Sequence, residues 1–175
     1  MLFRSGEPPT RRSYPPSIFS MLPQLLERAG QGAQGSMTAV YAVLTEGDEE
    51  NDPIAEEVRS ILDGHVVLSR KLAATGQFPA IDVPASVSRV MAQVATPAHR
   101  ALAARWRALM ARYQELELLI QIGEYRPGGD PLADHAVRLR EAMQRLLAQP
   151  AGSSQPFDET VAELCRLVAQ TEGAP

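Results

Sequence analysis

Among the residues of this sequence, Arg89 has the type and the sequence context that best suit a role in binding or catalysis. It follows Ser86, Val87 and Ser88 directly. A guanidinium is planar and permanently charged, and its fork of N–H donors matches a carboxylate or a phosphate. The residues alone leave two interpretations open. Arg89 is either an ordinary surface or structural arginine, or a group that binds phosphate.

Two aromatic residues beside prolines are further candidates. Phe78 precedes the segment Pro79–Asp82, and Tyr14 opens the segment Tyr14–Ser17. The flat face of an aromatic ring can stack on a planar ligand. From the residues alone, however, Phe78 is more simply explained as a core aromatic before a strand, and Tyr14 as an anchor for a loop.

The sequence has no phosphate loop, the Gly-rich turn that ends in Lys followed by Ser or Thr. Such a loop holds phosphates with backbone amides and one ammonium group. The only lysine is Lys71, which follows Arg70 and lies in no such context. We therefore expect this chain to lack the part of a nucleotide site that holds the phosphates.

Metal ligands and catalytic nucleophiles do not occur in a recognisable pattern. The three histidines, His65, His99 and His135, are far apart and have no partner at the spacing typical of a metal site. Cys165 is the only cysteine, so one chain can form neither a disulfide nor a multi-cysteine metal site. We expect no metal site, and no Ser-His-Asp or Cys-His arrangement is evident.

Composition and charge argue against several broad classes of protein. The formal net charge of -4 and the pI of about 5.4 argue against general nucleic-acid binding. No apolar run approaches the roughly 18 residues that a transmembrane helix needs. The first 16 residues also lack the apolar segment of a secretory signal. A single cysteine fits a reducing, cytosolic compartment.

Hydrophobic spacing, prolines and glycines predict six helices and three strands. The helices are expected at 17–29, 53–62, 70–75, 97–121, 132–149 and 157–170, and the strands at 38–45, 65–69 and 79–82. Alternation of helices with apolar strands is typical of a parallel sheet. The sequence therefore predicts an α/β region up to about residue 95, followed by a helical region.

The remaining segments are predicted to be loops or helix ends. Residues 30–35 (GQGAQG) indicate a flexible break, and the acidic run 46–52 indicates a solvated loop. We expect Asp158 or Ser154 to cap the last helix. Pro23 is expected to kink the first helix or to delay its start.

Five blocks of the sequence resemble consecutive parts of the type III secretion ATPases. They are GEPPTRRSYPPSIF, GSMTAVYAVLTEGD, NDPIAEEVRSILDGHVVLSRKLAA, FPAIDVPASVSRVM and YQELELLIQIGEYRPGGDPLAD. These ATPases are relatives of the flagellar export ATPase and of the catalytic subunit of the rotary ATP synthase. The block that contains LLIQIGEY resembles the injectisome ATPases more than the flagellar ones.

The resemblance implies a fold class, α/β followed by all-α, and a division into two domains. Residues 1–95 are expected to be the C-terminal half of a RecA-like, parallel-sheet nucleotide-binding domain that lacks its phosphate loop. Residues 96–175 are expected to form an all-α C-terminal domain.

The resemblance also implies a role for each candidate residue. Arg89 matches an arginine finger, which reaches from one subunit into the nucleotide site of its neighbour and stabilises charge on the transferred phosphoryl group in trans. Phe78 matches an aromatic that packs against adenine. Tyr14 matches a residue on the nucleotide side of the subunit interface.

Cofactors and partners are likewise implied by the resemblance. The full-length parent is expected to use ATP with Mg²⁺, whereas this chain is expected neither to bind ATP tightly nor to hydrolyse it alone. The expected partners are like subunits in a hexameric ring, the stalk and stator proteins of the secretion apparatus, and export chaperones and effectors. The expected location is the cytoplasm, at the cytoplasmic face of the inner membrane, with only peripheral membrane contact.

Two alternatives stay open at this point: a flagellar export ATPase fragment, or a non-catalytic helical module that binds chaperones or a stalk. Ser13, Pro84 and Ala92 stand where the family usually has Gly, Leu and Pro. Because the resemblance also begins abruptly, we expect a truncated, degenerate or excised piece of a longer protein. We expect poor solubility, since half of a sheet exposes strand edges and apolar faces.

Overall fold

The computed structural model describes residues 14–45 and 52–170. These residues divide into two compact units, with the boundary between His65 and Val66. The first unit contains two helices and a short hairpin, and the second contains a two-stranded sheet and five helices. The predicted acidic loop at 46–52 lies outside the described residues, except for its last residue.

The first unit begins with helix α1, Pro16–Leu26. Pro16 suits this start because the first helical N–H has no partner within a helix, so a proline loses nothing there. Pro23 lies inside the helix, and the carbonyl oxygen of Pro23 accepts a hydrogen bond from the Glu27 N–H at 2.9 Å. The predicted helix is thus confirmed, although it ends at Leu26 rather than at residue 29.

A hairpin follows where the sequence predicted a flexible break. Strands β1, Gly30–Gly32, and β2, Gly35–Met37, pair antiparallel, with Gly30 opposite Met37. Gly35 has a φ of +154°, a backbone conformation that side chains disfavour, so glycine is suited to this position. The prediction was wrong because glycine content indicates permitted conformations and not the absence of pairing.

The predicted buried strand at residues 38–45 is also wrong. The segment has no regular structure, and the side chains of Val40 and Leu44 are 96% and 95% exposed. Apolar and β-branched composition favours a strand only where neighbours pack against it. Among the residues that the structure describes, no strand pairs with this segment.

Helix α2, Pro53–Ile61, packs against α1 in the first unit. Asp52 caps it, since its Oδ1 accepts hydrogen bonds from the N–H groups of Ile54 at 2.9 Å and Ala55 at 3.2 Å. Such a cap satisfies N–H groups that have no partner inside the helix. The helix predicted at 53–62 is confirmed.

The two-stranded sheet consists of β3, Gly64–Leu68, whose first two residues precede the unit boundary, and β4, Ile81–Ser88. Between them lies the short helix α3, Arg70–Ala74, which Ser69 caps by accepting the Leu72 N–H at 3.3 Å. All three elements were predicted, but β4 is longer than the strand expected at 79–82.

Four further helices complete the second unit: α4, Met91–Val94, α5, Pro97–Gln121, α6, Pro131–Leu147, and α7, Phe157–Ala169. The three long helices were predicted to within two residues at each end. The predicted cap of α7 is wrong, because the residue before it is Pro156 and no side chain caps the helix. Asp158 lies instead within the first turn, where a carboxylate interacts favourably with the helix dipole.

The apolar faces of α5, α6 and α7 pack together and form the core of the second unit. Its buried members are Trp106, Leu109, Ala136, Leu139, Met143 and Val168. Within the described part of the chain, the helices are too short or too polar to cross a lipid bilayer.

Candidate functional site

Strand β4 bends sharply before it reaches Arg89. The Asp82 Oδ1 accepts a hydrogen bond from the Ala85 N–H at 3.1 Å, and the Ser86 Oγ donates one to the Asp82 carbonyl oxygen at 2.6 Å. Residues four apart lie about 13 Å apart in a straight strand, so these bonds require a bend. Pro84 lies within the bend, in keeping with the restriction of prolines in sheets to edges, strand starts and bulges.

Ser86 joins this bend to two other elements. It is 9% exposed, and its Oγ accepts the Val67 N–H of β3 at 3.0 Å. Its carbonyl oxygen accepts a hydrogen bond from Nη2 of Arg107, on α5, at 2.9 Å. The end of β4 is therefore held by its own strand, by the neighbouring strand and by a helix of the core.

Arg89 follows the last residue of β4 directly and is exposed. It lies three positions after the braced residue Ser86. A short backbone span from a fixed point limits the directions that the Arg89 side chain can take. The arrangement can present a permanently charged, planar donor group to a second molecule.

Phe78 lies three positions before Ile81, the first residue of β4. Phe78 is 58% exposed, so its interpretation as a core aromatic is wrong. Its carbonyl oxygen accepts the Gln149 N–H at 2.8 Å, which fixes the backbone at this point against the segment after α6. The ring therefore has an open face on a backbone that is held in place.

An open cleft of about 430 Å³ lies beside this position. One wall is formed by Thr75, Gly76 and Gln77, which precede Phe78 in the chain, and the other by the end of α6 and Ala148, which precedes Gln149. The α6 residues that line it are Glu141, Gln144 and Arg145.

The three candidate residues are divided between the two units of the chain. Arg89 and Phe78 lie at opposite ends of β4, in the second unit. Tyr14 is half-buried, directly before Pro15 and α1 in the first unit. Arg89 and Phe78 are thus two separate positions from which one chain can contact ligands.

Two residues of the site were missed by sequence reasoning, namely Ser86 and Arg107. Ser86 was noticed only as a neighbour of Arg89, and Arg107 only as part of a helix. A serine two positions after a proline in a strand is a weak signal, and the hydrogen bond between Arg107 and Ser86 depends on tertiary packing. In the described ranges 14–45 and 52–170, no three His, Cys, Asp or Glu residues are grouped so as to hold a metal ion.

Comparison with known families matches both parts of the chain. Residues 1–88 match the nucleotide-binding domain of the ATP synthase alpha/beta family. Residues 95–166 match the type III secretion EscN ATPase C-terminal domain. Together the two matches define a class of protein in which a nucleotide-binding domain is followed by a helical C-terminal domain, which confirms the predicted fold class.

Individual proteins point to a particular branch of this class. The chain is 54% identical over 157 residues to the type 3 secretion system ATPase of Xanthomonas euvesicatoria, covering 90% of this chain and 36% of that relative. It is also similar to the assembled ATPase EscN of enteropathogenic E. coli, with a TM-score of 0.90 and 51% identity over 94% of this chain and 40% of that one. The chain belongs to the type III secretion ATPases of the ATP synthase alpha/beta family.

A second structure contains EscN in complex with its central stalk EscO. This chain matches its EscN with a TM-score of 0.83 and 48% identity, covering 94% of this chain and 39% of that one. The chain thus spans little more than a third of the length of the proteins that it matches. It corresponds to the C-terminal region of a secretion ATPase.

Proposed function

We propose that this chain provides the C-terminal part of an ATPase that couples ATP hydrolysis to protein export by type III secretion. The observation that carries the proposal is the position of Arg89, exposed directly after a bent strand that is braced at Ser86. Arg89 acts as an arginine finger in trans, at the nucleotide site of a neighbouring subunit. Its planar fork stabilises the charge that develops on the transferred phosphoryl group.

The phosphates and the metal ion are held by other parts of the assembly. The sequence of this chain contains no phosphate loop and a single lysine. ATP and Mg²⁺ therefore bind chiefly to residues outside this chain, and the chain by itself does not hydrolyse ATP, since positioning and charge neutralisation of the phosphates provide most of the catalysis.

Phe78 packs against the adenine ring in this proposal. The exposure of Phe78, directly after the cleft residue Gln77, supports that role. An aromatic face needs only apolar, offset contact with a purine, so phenylalanine suffices without a hydroxyl. Tyr14, which is half-buried directly before Pro15 and α1, contributes to the nucleotide side of the subunit interface.

The domain boundary and the partners belong to the same proposal. Residues 1–95 form part of the ATPase domain and residues 96–175 the C-terminal domain, which is supported by family matches that end at 88 and begin at 95. Like subunits assemble in a hexameric ring at the cytoplasmic face of the inner membrane. A stalk, stator proteins, export chaperones and effectors bind to that ring.

A fusion protein tests the role of Arg89. The part of the Xanthomonas euvesicatoria ATPase that precedes the matched region is joined to this complete chain, and steady-state ATP hydrolysis is measured. Arg89→Ala is expected to lower kcat by about 10³-fold, in line with arginine fingers elsewhere. Arg89→Lys is not expected to restore kcat, because an ammonium lacks the planar fork.

Arg100→Ala is the matched control, since Arg100 is an exposed arginine of α5. The control is expected to hydrolyse ATP at the parental rate. An Arg89→Ala fusion that keeps its kcat would contradict the proposal. Phosphate release by the 175-residue chain alone would contradict the proposal that this chain does not hydrolyse ATP by itself.

A second function is supported by apolar residues at the far end of α5. Leu118 and Ile122 are 66% and 58% exposed, beside the loop that joins α5 to α6. Exposed apolar side chains so close together are typical of a protein contact. We therefore propose that this tip binds a central stalk protein, since a solved structure contains the related EscN in complex with its central stalk EscO.

Size-exclusion chromatography with EscO tests this second function. Co-elution of the two chains is expected, and replacing both Leu118 and Ile122 by Ser is expected to abolish it. Val94→Ser is the control, because Val94 is 77% exposed at a different place in the second unit. Equal co-elution of the tip variant and the control would remove the support for a binding site at the tip.

A further inference from the structure

We propose that Arg107 is a positioning residue for Arg89. The inference rests on the proposed finger role of Arg89. Arg107 lies on α5, a helix of the apolar core, and its Nη2 donates to the Ser86 carbonyl oxygen at 2.9 Å. Ser86 lies in the bent strand β4, three positions before Arg89.

The bend of β4 explains why an additional brace matters at this point. The strand contains Pro84, which cannot donate a ladder hydrogen bond. Its bend is held by hydrogen bonds from the Ala85 N–H and the Ser86 hydroxyl to Asp82. A bent strand loses the straight ladder that normally fixes its direction. The Ser86 hydroxyl restores one link, to the Val67 N–H of β3 at 3.0 Å.

Arg107 supplies a link of a different kind, because it comes from a helix and not from the sheet. Its neighbour Trp106 is buried in the core, which anchors this part of α5. The guanidinium is charged, and a hydrogen bond from a charged donor is stronger than one between neutral groups. The direction of the backbone that leads to Arg89 is therefore tied to the position of α5.

A helix of 25 residues behaves as a rod of about 37 Å, so a displacement at one end reaches the other. Arg107 lies in the first half of α5 and transfers such a displacement to Ser86. A finger must be placed to within about 1 Å, since a misplacement of that size can cost about 10²-fold in rate. Arg107 thus sets the reach of the finger without touching the nucleotide.

Two variants of Arg107 are compared. Arg107→Met keeps an apolar stem but has no N–H donor, whereas Arg107→Lys keeps a charged donor. The control is Arg105→Met, which changes an exposed arginine two residues earlier. The first measurement is amide hydrogen exchange of Val87, Ser88 and Arg89 in the 175-residue chain. Arg107→Met is expected to accelerate exchange at these amides about tenfold and to leave the amides of α6 and α7 unchanged.

The second measurement is ATP hydrolysis by the fusion protein described above. Arg107→Met is expected to lower kcat about tenfold and to change KM by less than about twofold, because a positioning residue acts on the transition state and not on ATP binding. Arg107→Lys is expected to restore most of kcat, whereas Arg89→Lys is not. A residue with a merely structural role would accelerate exchange throughout α5–α7 and would not separate kcat from KM.

The possible outcomes distinguish this inference from the proposed function. If Arg89→Ala lowers kcat but Arg107→Met changes neither kcat nor the exchange of residues 87–89, the inference alone is wrong. If Arg107→Met accelerates exchange uniformly across α5, α6 and α7, the inference is also wrong. If Arg89→Ala leaves kcat unchanged, the finger role and the inference fall together.

Discussion

Asp134 holds Tyr125 and thereby closes the loop between α5 and α6. The Tyr125 hydroxyl donates to the Asp134 Oδ1, and the Gly128 N–H donates to Oδ2 at 2.9 Å. Gly128 has a φ of +98°, which glycine adopts without strain. One carboxylate in the first turn of α6 therefore fixes the loop that follows the exposed apolar tip at Leu118 and Ile122.

The first prediction concerns the titration of Tyr125. The hydrogen bond to Asp134, followed by desolvation and nearby negative charge, raises the pKa of Tyr125 from its ordinary value of 10.0 to about 12. Because the folded-state pKa is above the unfolded one, this stabilisation is complete below about pH 10 and is lost as the pH rises through about 12. Phenolate absorbance of the native chain is expected to show a late step near pH 12.

Tyr125→Phe provides the control for this titration. The variant is expected to lose the late step, and its stability is expected to fall less steeply than that of the parent between about pH 10 and pH 12. A late step that persists in Tyr125→Phe would assign the raised pKa to a different tyrosine.

The second prediction concerns Asp130, which caps α6 and pairs with Arg112. Its Oδ1 accepts the N–H groups of Leu132 at 2.9 Å and Ala133 at 3.3 Å, and its Oδ2 accepts Nε–H of Arg112 at 2.8 Å. Desolvation acts to raise the pKa of Asp130, but the backbone N–H groups and Arg112 outweigh it, so the pKa lies below its ordinary value.

A lowered pKa makes this stabilisation present above about pH 4 and lost as the pH falls through the folded-state value. Asp130→Asn keeps a capping oxygen but removes the charge that pairs with Arg112. We expect the variant to have a lower Tm than the parent at neutral pH and the difference to shrink at about pH 3. Thermal unfolding at both pH values measures this, and a difference that is independent of pH would show that the ion pair does not contribute.

The third prediction concerns Leu109, whose side chain is 1% exposed at the centre of the helical core. Leu109→Ala leaves a cavity and is expected to lower the free energy of unfolding by about 2–5 kcal/mol. Leu118→Ala is the matched control on the same helix, and a change within about 0.5 kcal/mol is expected because Leu118 is exposed. Urea unfolding followed by circular dichroism measures both, and similar losses would contradict the packing of α5.

The sequence was informative wherever a local rule decides the structure. Helix α5 begins after Thr96, whose hydroxyl accepts the His99 N–H at 3.2 Å, and a proline stands at its first position. A cap, a proline and a 3.6-residue apolar period agree there, so the start of α5 was predicted correctly. The short helix after Ser69 was also predicted, with Gly76 as the residue that ends it.

The errors occur where structure depends on contacts between distant residues. Residues 38–45 have the composition of a strand, yet a strand forms only beside a partner, and sequence composition does not name the partner. The bend of β4 depends on hydrogen bonds within the segment Asp82–Ser86, and its brace depends on Arg107, which lies 21 residues after Ser86. The roles of Arg89, Phe78 and Tyr14 were implied by family resemblance and not by their chemistry, and they stay predictions.

The last prediction concerns the Ser86 hydroxyl, which links β3 to the bend of β4. Ser86→Ala removes the acceptor of the Val67 N–H and the donor to the Asp82 carbonyl oxygen. A buried polar group that loses its partner costs about 1–3 kcal/mol, so we expect the free energy of unfolding of the second unit to fall by about that amount. Ser88→Ala, at an exposed position of the same strand, is expected to change it by less than about 0.5 kcal/mol. Urea unfolding measures the free energy of unfolding of both variants. If Ser86→Ala is as stable as Ser88→Ala, water replaces the hydroxyl and the bend does not depend on it.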